Sequence, residues 1–249
     1  MDFTLPTYVR LLESTTKYSI VTVSDFLSGK AAEPFIVLRH DVDRNPYRAA
    51  RMAKLENRLG VHATYYFRWD PKLLHVDRGY PSGTEAGGFP ASYVLEAKLY
   101  GHEVGYHYEN LSSLAPRKLG AEALRDAALA DFGEKLNSLR KIAPVATVCA
   151  VPSGKFNNSE LLVGADVKSL QLLGDTSSKF GELPHVSDAG RRWRSPAGPG
   201  TRLDERVKGT DGLIALLSSA KYPRLMLSVR PGNWAAGKIE WALDTVMRR

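Results

Sequence analysis

Short apolar runs rich in β-formers alternate with segments whose apolar residues recur at helical spacing. This alternation constrains the fold more than any other feature. Neighbouring parallel strands need a long crossover, and a helix usually supplies it, so the pattern predicts an α/β fold with mainly parallel strands. Phe35-Ile36-Val37-Leu38 is a compact run that stops at the polar string Arg39-His40-Asp41-Val42-Asp43-Arg44. A helix is expected next, with Asn45 as N-cap, Pro46 at its first position, an apolar stripe from Ala49 to Leu59, and Gly60 at its stop. Strands are expected at Ala63–Phe67, at Glu103–Tyr106 running into His107, at Thr147–Val151, at Leu170–Leu173 and at Leu225–Val229. Helices are expected over Ala91–Tyr100, Leu119–Leu139 and Ala235–Met247. Residues 70–91 carry turn chemistry, as do Pro152–Lys155 and Ser195–Gly200. No repeat or linker divides the chain, which reads as a single domain over residues 1–249.

At 249 residues with 43% hydrophobic and 24% charged content, the chain can bury a sizeable core, and disorder is excluded as its main state. Its apolar runs fall well short of the roughly 18–20 residues that cross a bilayer. The one cysteine, Cys149, cannot form an internal disulfide. Met1–Pro6 lacks a basic region followed by an apolar one, so a cytoplasmic protein is expected. A formal charge of +7 suits an anionic partner, but the basic residues are scattered. The densest group, Arg191-Arg192-Trp193-Arg194, is short and reads as solvated surface, and no nucleic-acid partner is expected.

Residues at strand ends carry the chemistry, because sites in α/β folds form at the C-terminal ends of parallel strands. Asp41 and Asp43, two positions apart after an apolar run, can turn both carboxylates to one side. Such a pair can hold a cation and accept a proton from attacking water, or satisfy amides of the turn and the next helix. The spacing leaves both open. His107 is a candidate ligand or a packed polar residue. His102 and His107, five apart among β-formers, do not make a helical zinc motif.

Three segments, Leu38–Pro46, Ala63–Arg68 and Gly101–Glu109, resemble the polysaccharide deacetylase family, the NodB-like group also called carbohydrate esterase family 4. The similarity is to a branch with Arg-His-Asp-Val-Asp in place of Thr-Phe-Asp-Asp-Gly. It extends to Ser187–Trp193 and Leu227–Trp234. The resemblance implies a distorted (β/α) barrel that removes acetyl groups from sugars with a bound zinc ion. By it, Asp41 would be the general base, while Asp43 and His107 would be metal ligands. The metal would polarise the acetyl carbonyl and lower the pKa of its water.

The departures from the family pattern lie at histidines. Leu111 stands where a second ligand is expected, and Ala150-Val151-Pro152-Ser153 replaces a His-Gly-Ser-Pro string. Arg230 occupies the place of the histidine acid, and a guanidinium stays protonated at neutral pH. Glu109, His40 and His102 are the possible substitute ligands. If Asp41 and Asp43 are buried together, Arg230 is expected to reach them and partly replace the cation. Arg68, Tyr108, Glu109, Trp193 and Trp234, with Tyr66, Trp69 and Tyr106, are candidate contacts for a carbohydrate or acylated sugar, since aromatic faces stack on sugar rings and arginines bind hydroxyls. Two functions stand side by side: a metal-dependent sugar deacetylase, and a metal-free carbohydrate-binding or scaffolding homologue. The sugar, the acyl group and the oligomeric state are not readable from sequence.

Overall fold

The computed structural model describes residues 2–73, 87–152, 156–176, 183–195, 203 and 206–247. The expected turns at 74–86, 153–155 and 196–200 lie outside them. Among the described residues the apolar runs become strands β1 (Ser19–Val21), β2 (Phe35–Val42), β3 (Thr64–Arg68), β4 (Glu103–Tyr108), β5 (Val145–Ala150), β6 (Gly174–Asp175), β7 (His185–Ser187) and β8 (Arg224–Val229). The main helices are α1 (Leu5–Glu13), α2 (Val23–Leu27), α3 (Pro46–Arg58), α4 (Ala91–Leu99), α5 (Asn110–Leu114), α6 (Ala121–Arg140), α7 (Gly209–Ser219) and α8 (Lys238–Met247). All strands join one sheet in the order β6-β5-β4-β3-β2-β8-β7, with β1 beside the start of β2, and every pairing is parallel.

Strands lie about 4.8 Å apart, so in a flat sheet β5, three steps from β2, would stand about 14 Å away. Arg39 on β2 nevertheless donates from Nη1 to Cys149 Sγ on β5 at 3.0 Å, and to Thr176 Oγ1 just past β6 at 2.9 Å. The sheet therefore curls around a lumen. Its end strands β6 and β7 do not pair among the described residues, which makes the distorted, incompletely closed (β/α) barrel that the resemblance implies.

Alternation along β2 sorts its side chains between two environments. Phe35 and Val37 pack in the lumen with Val23, Tyr66, Cys149 and Met226, and Arg39 and Asp41 continue that face. Ile36, Leu38 and Val42 pack outward in the larger core beneath the helices. β2 is buried along its whole length.

Several boundaries depart from the expectations. β2 continues four residues past Leu38, so Asp41 lies inside the strand. Thr4 and Ala235 pair as a parallel bridge, so the last helix starts at Lys238 rather than Ala235. Asn45 precedes α3, but its backbone is left-handed at φ 53° and its side chain caps nothing. Gly60, at φ +69°, ends that helix as expected. Leu170–Leu173 is turn, not strand: Gln171 has a left-handed φ of 55°, Leu172 is buried while Leu173 is half exposed, and pairing starts only at Gly174. A four-residue segment with three leucines cannot by itself separate a strand from a turn that anchors one leucine.

Candidate functional site

The lumen becomes more polar toward the C-terminal ends of the strands. At mid-height Arg39, 8% exposed, also donates from Nε to Ser228 Oγ on β8 at 2.8 Å. His185 on β7 reaches the same hydroxyl from Nε2 at 2.6 Å. Burial, and then the Arg39 charge, push the His185 imidazole down to about 3, so it is neutral.

One step higher sit Asp41 and His107. Asp41 Oδ2 lies 3.4 Å from Arg39 Nη2 and 3.5 Å from Arg230 Nη2, while Oδ1 is buried with no hydrogen-bond partner. Burial raises the Asp41 pKa, but the charges of Arg39, His107 and Arg230 outweigh it and hold the carboxyl at about 2. His107 is fully buried, and its Nδ1 donates to the Cys149 carbonyl at 2.9 Å. Its Nε2 stands 3.3 Å from Asp43 Oδ1. Burial opposes its protonation, yet Asp43 and then the Cys149 side chain raise its pKa well above the usual imidazole range.

Asp43 forms the next level. Arg230 Nε lies 3.3 Å from its Oδ2, and Arg230 Nη1 donates to Ser187 Oγ at 3.3 Å. Asp188, fully buried behind this arginine, accepts from the Arg230 backbone N–H at 3.0 Å and from Trp234 Nε1 at 2.8 Å. At the rim, Arg68 and Glu109 form a two-pronged pair, Nε–Oε1 at 2.6 Å and Nη2–Oε2 at 2.5 Å. A cleft of about 460 Å³ opens there between Asp43, Arg68, Trp69 and Glu109.

The structure thus brings Asp41, Asp43, His107 and Arg230 together at the barrel mouth, with Arg68 and Glu109 beside them. It takes three aromatic candidates away from the barrel mouth. Trp193 is 5% exposed and donates to Thr210 Oγ1 at 3.0 Å, and Trp234 is fully buried against Phe3 and Tyr8. Tyr108 faces the outer core, where its hydroxyl donates to Asp175 at 2.5 Å. Tyr66 and Tyr106 are buried as well. Indoles and phenols sequestered this way serve packing, because a large apolar body gains more from the core than from a rim. Trp69 lines the mouth, with Lys135 Nζ 4.0 Å from its ring, and Tyr106 lines the adjoining cleft beside His107.

His40 and His102 also prove to face elsewhere. Both sit under the helices around Glu56: His40 Nε2 is 2.8 Å from Glu56 Oε1, and His102 Nδ1 is 3.7 Å from Oε2. Glu109 is held by Arg68. Leu111 packs against the apolar core. Among the described residues no group of three or more His, Cys, Asp or Glu side chains is placed to hold a metal ion. Asp43 and His107 alone remain of the implied ligand set, and the guanidinium on Asp43 is chemically opposed to a second cation. The side chains present do not fit the zinc site that the resemblance implies.

Sequence reading missed Arg39, His185, Ser187 and Asp188. Arg39 carried a usable signal, a charge inside an apolar strand with the same parity as Asp41 and Asp43. His185 and Ser187 belong to a three-residue strand, too short for any periodicity.

No protein-family model matches the chain, and no curated protein matches it. Among solved structures it is similar to a CE4 family pseudoenzyme from Bacillus anthracis, BA3943, at 16% identity and a TM-score of 0.46, over 87% of this chain and 60% of that one. It is similar to a family 4 carbohydrate esterase from Bacillus anthracis at 14% identity and a TM-score of 0.42, over 97% and 83%. It is also similar to the peptidoglycan deacetylase PdaC from Bacillus subtilis at 14% identity and a TM-score of 0.38, over 79% and 88%. The chain therefore spans three fifths of the length of the first of these.

Proposed function

We propose that this chain is a polysaccharide deacetylase-like protein that binds carbohydrate at the barrel mouth with a guanidinium in place of the catalytic metal. One observation carries the reading: Arg230 lies 3.5 Å from Asp41 and 3.3 Å from Asp43, reaching both carboxylates of the Arg-His-Asp-Val-Asp string. Two carboxylates at a largely buried site need a compensating cation. Arg39 and Arg230 supply fixed positive charge to this pair, and neither can ligate a metal or give up its proton at neutral pH. Asp41 retains the position of a general base, but among the described residues Arg230 stands where the resemblance puts the acid, and a guanidinium cannot protonate a leaving amine at neutral pH. Binding without hydrolysis follows, with Arg68, Trp69 and Glu109 as the polar and aromatic contacts of a sugar.

The test is metal content by elemental analysis, with acetate release from N-acetylated chitooligosaccharides, in the wild type, Arg230→His and Asp43→Ala. Substoichiometric zinc and no acetate release are expected in the wild type, with higher zinc occupancy in Arg230→His. Stoichiometric zinc in the wild type, lost in Asp43→Ala, would overturn the reading and restore the metal-dependent deacetylase.

A further inference from the structure

A cleft of about 680 Å³, larger than the one at the barrel mouth, lies between the 191–195 segment, Phe3 and the start of α7. Five of its lining residues are basic (Arg191, Arg192, Arg194, Arg206 and Lys208), and one, Asp2, is acidic. Arg191 is held by Asp244 at 2.5 Å. Arg192, Arg194, Arg206 and Lys208 are exposed, and none has an ion-pair partner among the described residues. Four unpaired cations converging on one concavity repel each other unless an anion joins them.

A hydrogen-bonded turn presents Arg192 and Arg194. Ser187 and Arg194 exchange backbone hydrogen bonds, both at 2.8 Å, across a turn closed by Arg191 N–H on the Asp188 carbonyl at 3.0 Å. Within that turn Arg191 holds a left-handed φ of 56°, an uncommon and costly state for a long side chain. Trp193 forms the floor and is tied to α7 through Thr210. The cleft already holds one carboxylate of the chain itself: Asp2 Oδ1 accepts from the Thr210 backbone N–H at 3.1 Å, at the positive end of an 11-residue helix.

We propose that this cleft is a second binding site, separate from the barrel mouth, for a small ligand carrying a phosphate group. Arg192, Arg194, Arg206 and Lys208 are its anion contacts. A phosphate fits better than a carboxylate, because it brings up to two charges and three acceptor oxygens to three guanidinium forks and an ammonium. A small ligand fits better than nucleic acid. The cations line a concavity rather than a ridge, and the Trp193 ring is too buried to stack on a base.

Isothermal titration calorimetry of the full chain at low salt tests this, with glucose 6-phosphate, inorganic phosphate, glucuronate, glucose and a single-stranded oligonucleotide as probes. Glucose 6-phosphate is expected to bind, inorganic phosphate to compete with it, glucuronate to bind more weakly, and glucose not at all. Arg192→Ala/Arg194→Ala and Arg206→Ala/Lys208→Ala should each weaken glucose 6-phosphate by about tenfold or more. All four are exposed, so neither double variant should lower the melting temperature. The site is refuted if glucose 6-phosphate does not bind, if neither double variant weakens it, or if only the oligonucleotide binds.

Discussion

Asp188 is a buried carboxyl that holds two things at once, the Arg230 backbone and the Trp234 indole. Its hydrogen bonds lower its pKa, but burial is the larger effect and pushes it up to about 6 from an ordinary 3.8. Between those values the folded chain keeps a proton that the unfolded chain has released. Stability from this group is therefore full below about pH 4 and falls as pH rises toward 6, by about 3 kcal/mol in all. Asp188→Asn removes that dependence. Urea unfolding at about pH 4.5 and pH 7 should show the variant's deficit shrinking as pH rises. An equal deficit at both would contradict the assignment. Trp234→Ala should cost about 3–5 kcal/mol and, in the same titrations, behave as a core mutation rather than as loss of a sugar contact. At this scale Asp41, Asp43 and His107 were legible because polar groups at the ends of apolar runs stand out. Asp188 was not, since nothing local separates it from a turn aspartate.

Among elements, the seating of α3 on β2 depends on Glu56. This carboxylate is fully buried and accepts from Tyr65 Oη at 2.7 Å and from Tyr8 Oη, with His40 Nε2 at 2.8 Å. Burial would raise its pKa, but the His40 and His102 imidazoles and the hydrogen bonds to His40 and Tyr8 outweigh that and lower it. Its contribution is present above the usual glutamate range and is lost as pH falls through the folded value. Glu56→Ala leaves several buried donors unanswered and should cost about 3–5 kcal/mol by chemical denaturation. Glu56→Gln, which keeps the volume and one acceptor, should cost clearly less; equal losses would mean that the carboxylate charge, and neither volume nor a remaining acceptor, matters here. This explains why the histidine beside Asp41 is not a ligand. Side chains alternate along a strand, so adjacent residues of the motif face opposite sides of the sheet. The existence of most strands and helices was legible from period and β-propensity, whereas β1, β7 and the true start of α8 depend on pairing with distant segments.

For the molecule as a whole, curling the sheet requires an empty position inside it. A Cβ on Gly105 would come within 2.3 and 2.4 Å of two Tyr66 ring carbons and 3.0 Å of the Thr147 carbonyl oxygen, inside the lumen. Gly105→Ala should overpack this layer, costing about 1–3 kcal/mol or more. The loss should show as a lowered midpoint in urea with an unchanged slope. An unaffected midpoint would mean that the lumen there is slack.

The order of strands and crossovers, the apolar faces and the polar ends of β2 and β4 were set by composition and period in the sequence itself, because those patterns arise from local backbone geometry and solvent avoidance. The metal question was not. Asp43 and Arg230 are 187 positions apart. Whether a guanidinium or a cation neutralises the Asp41/Asp43 pair depends on how far β8 brings Arg230 over the mouth once the sheet has curled. Likewise the burial of Trp193 and Trp234, the turning away of His40, and the gathering of four exposed cations beside α7 follow from which surfaces pack against which. That is a long-range free-energy balance between burying apolar area and satisfying charge, which no window of sequence contains.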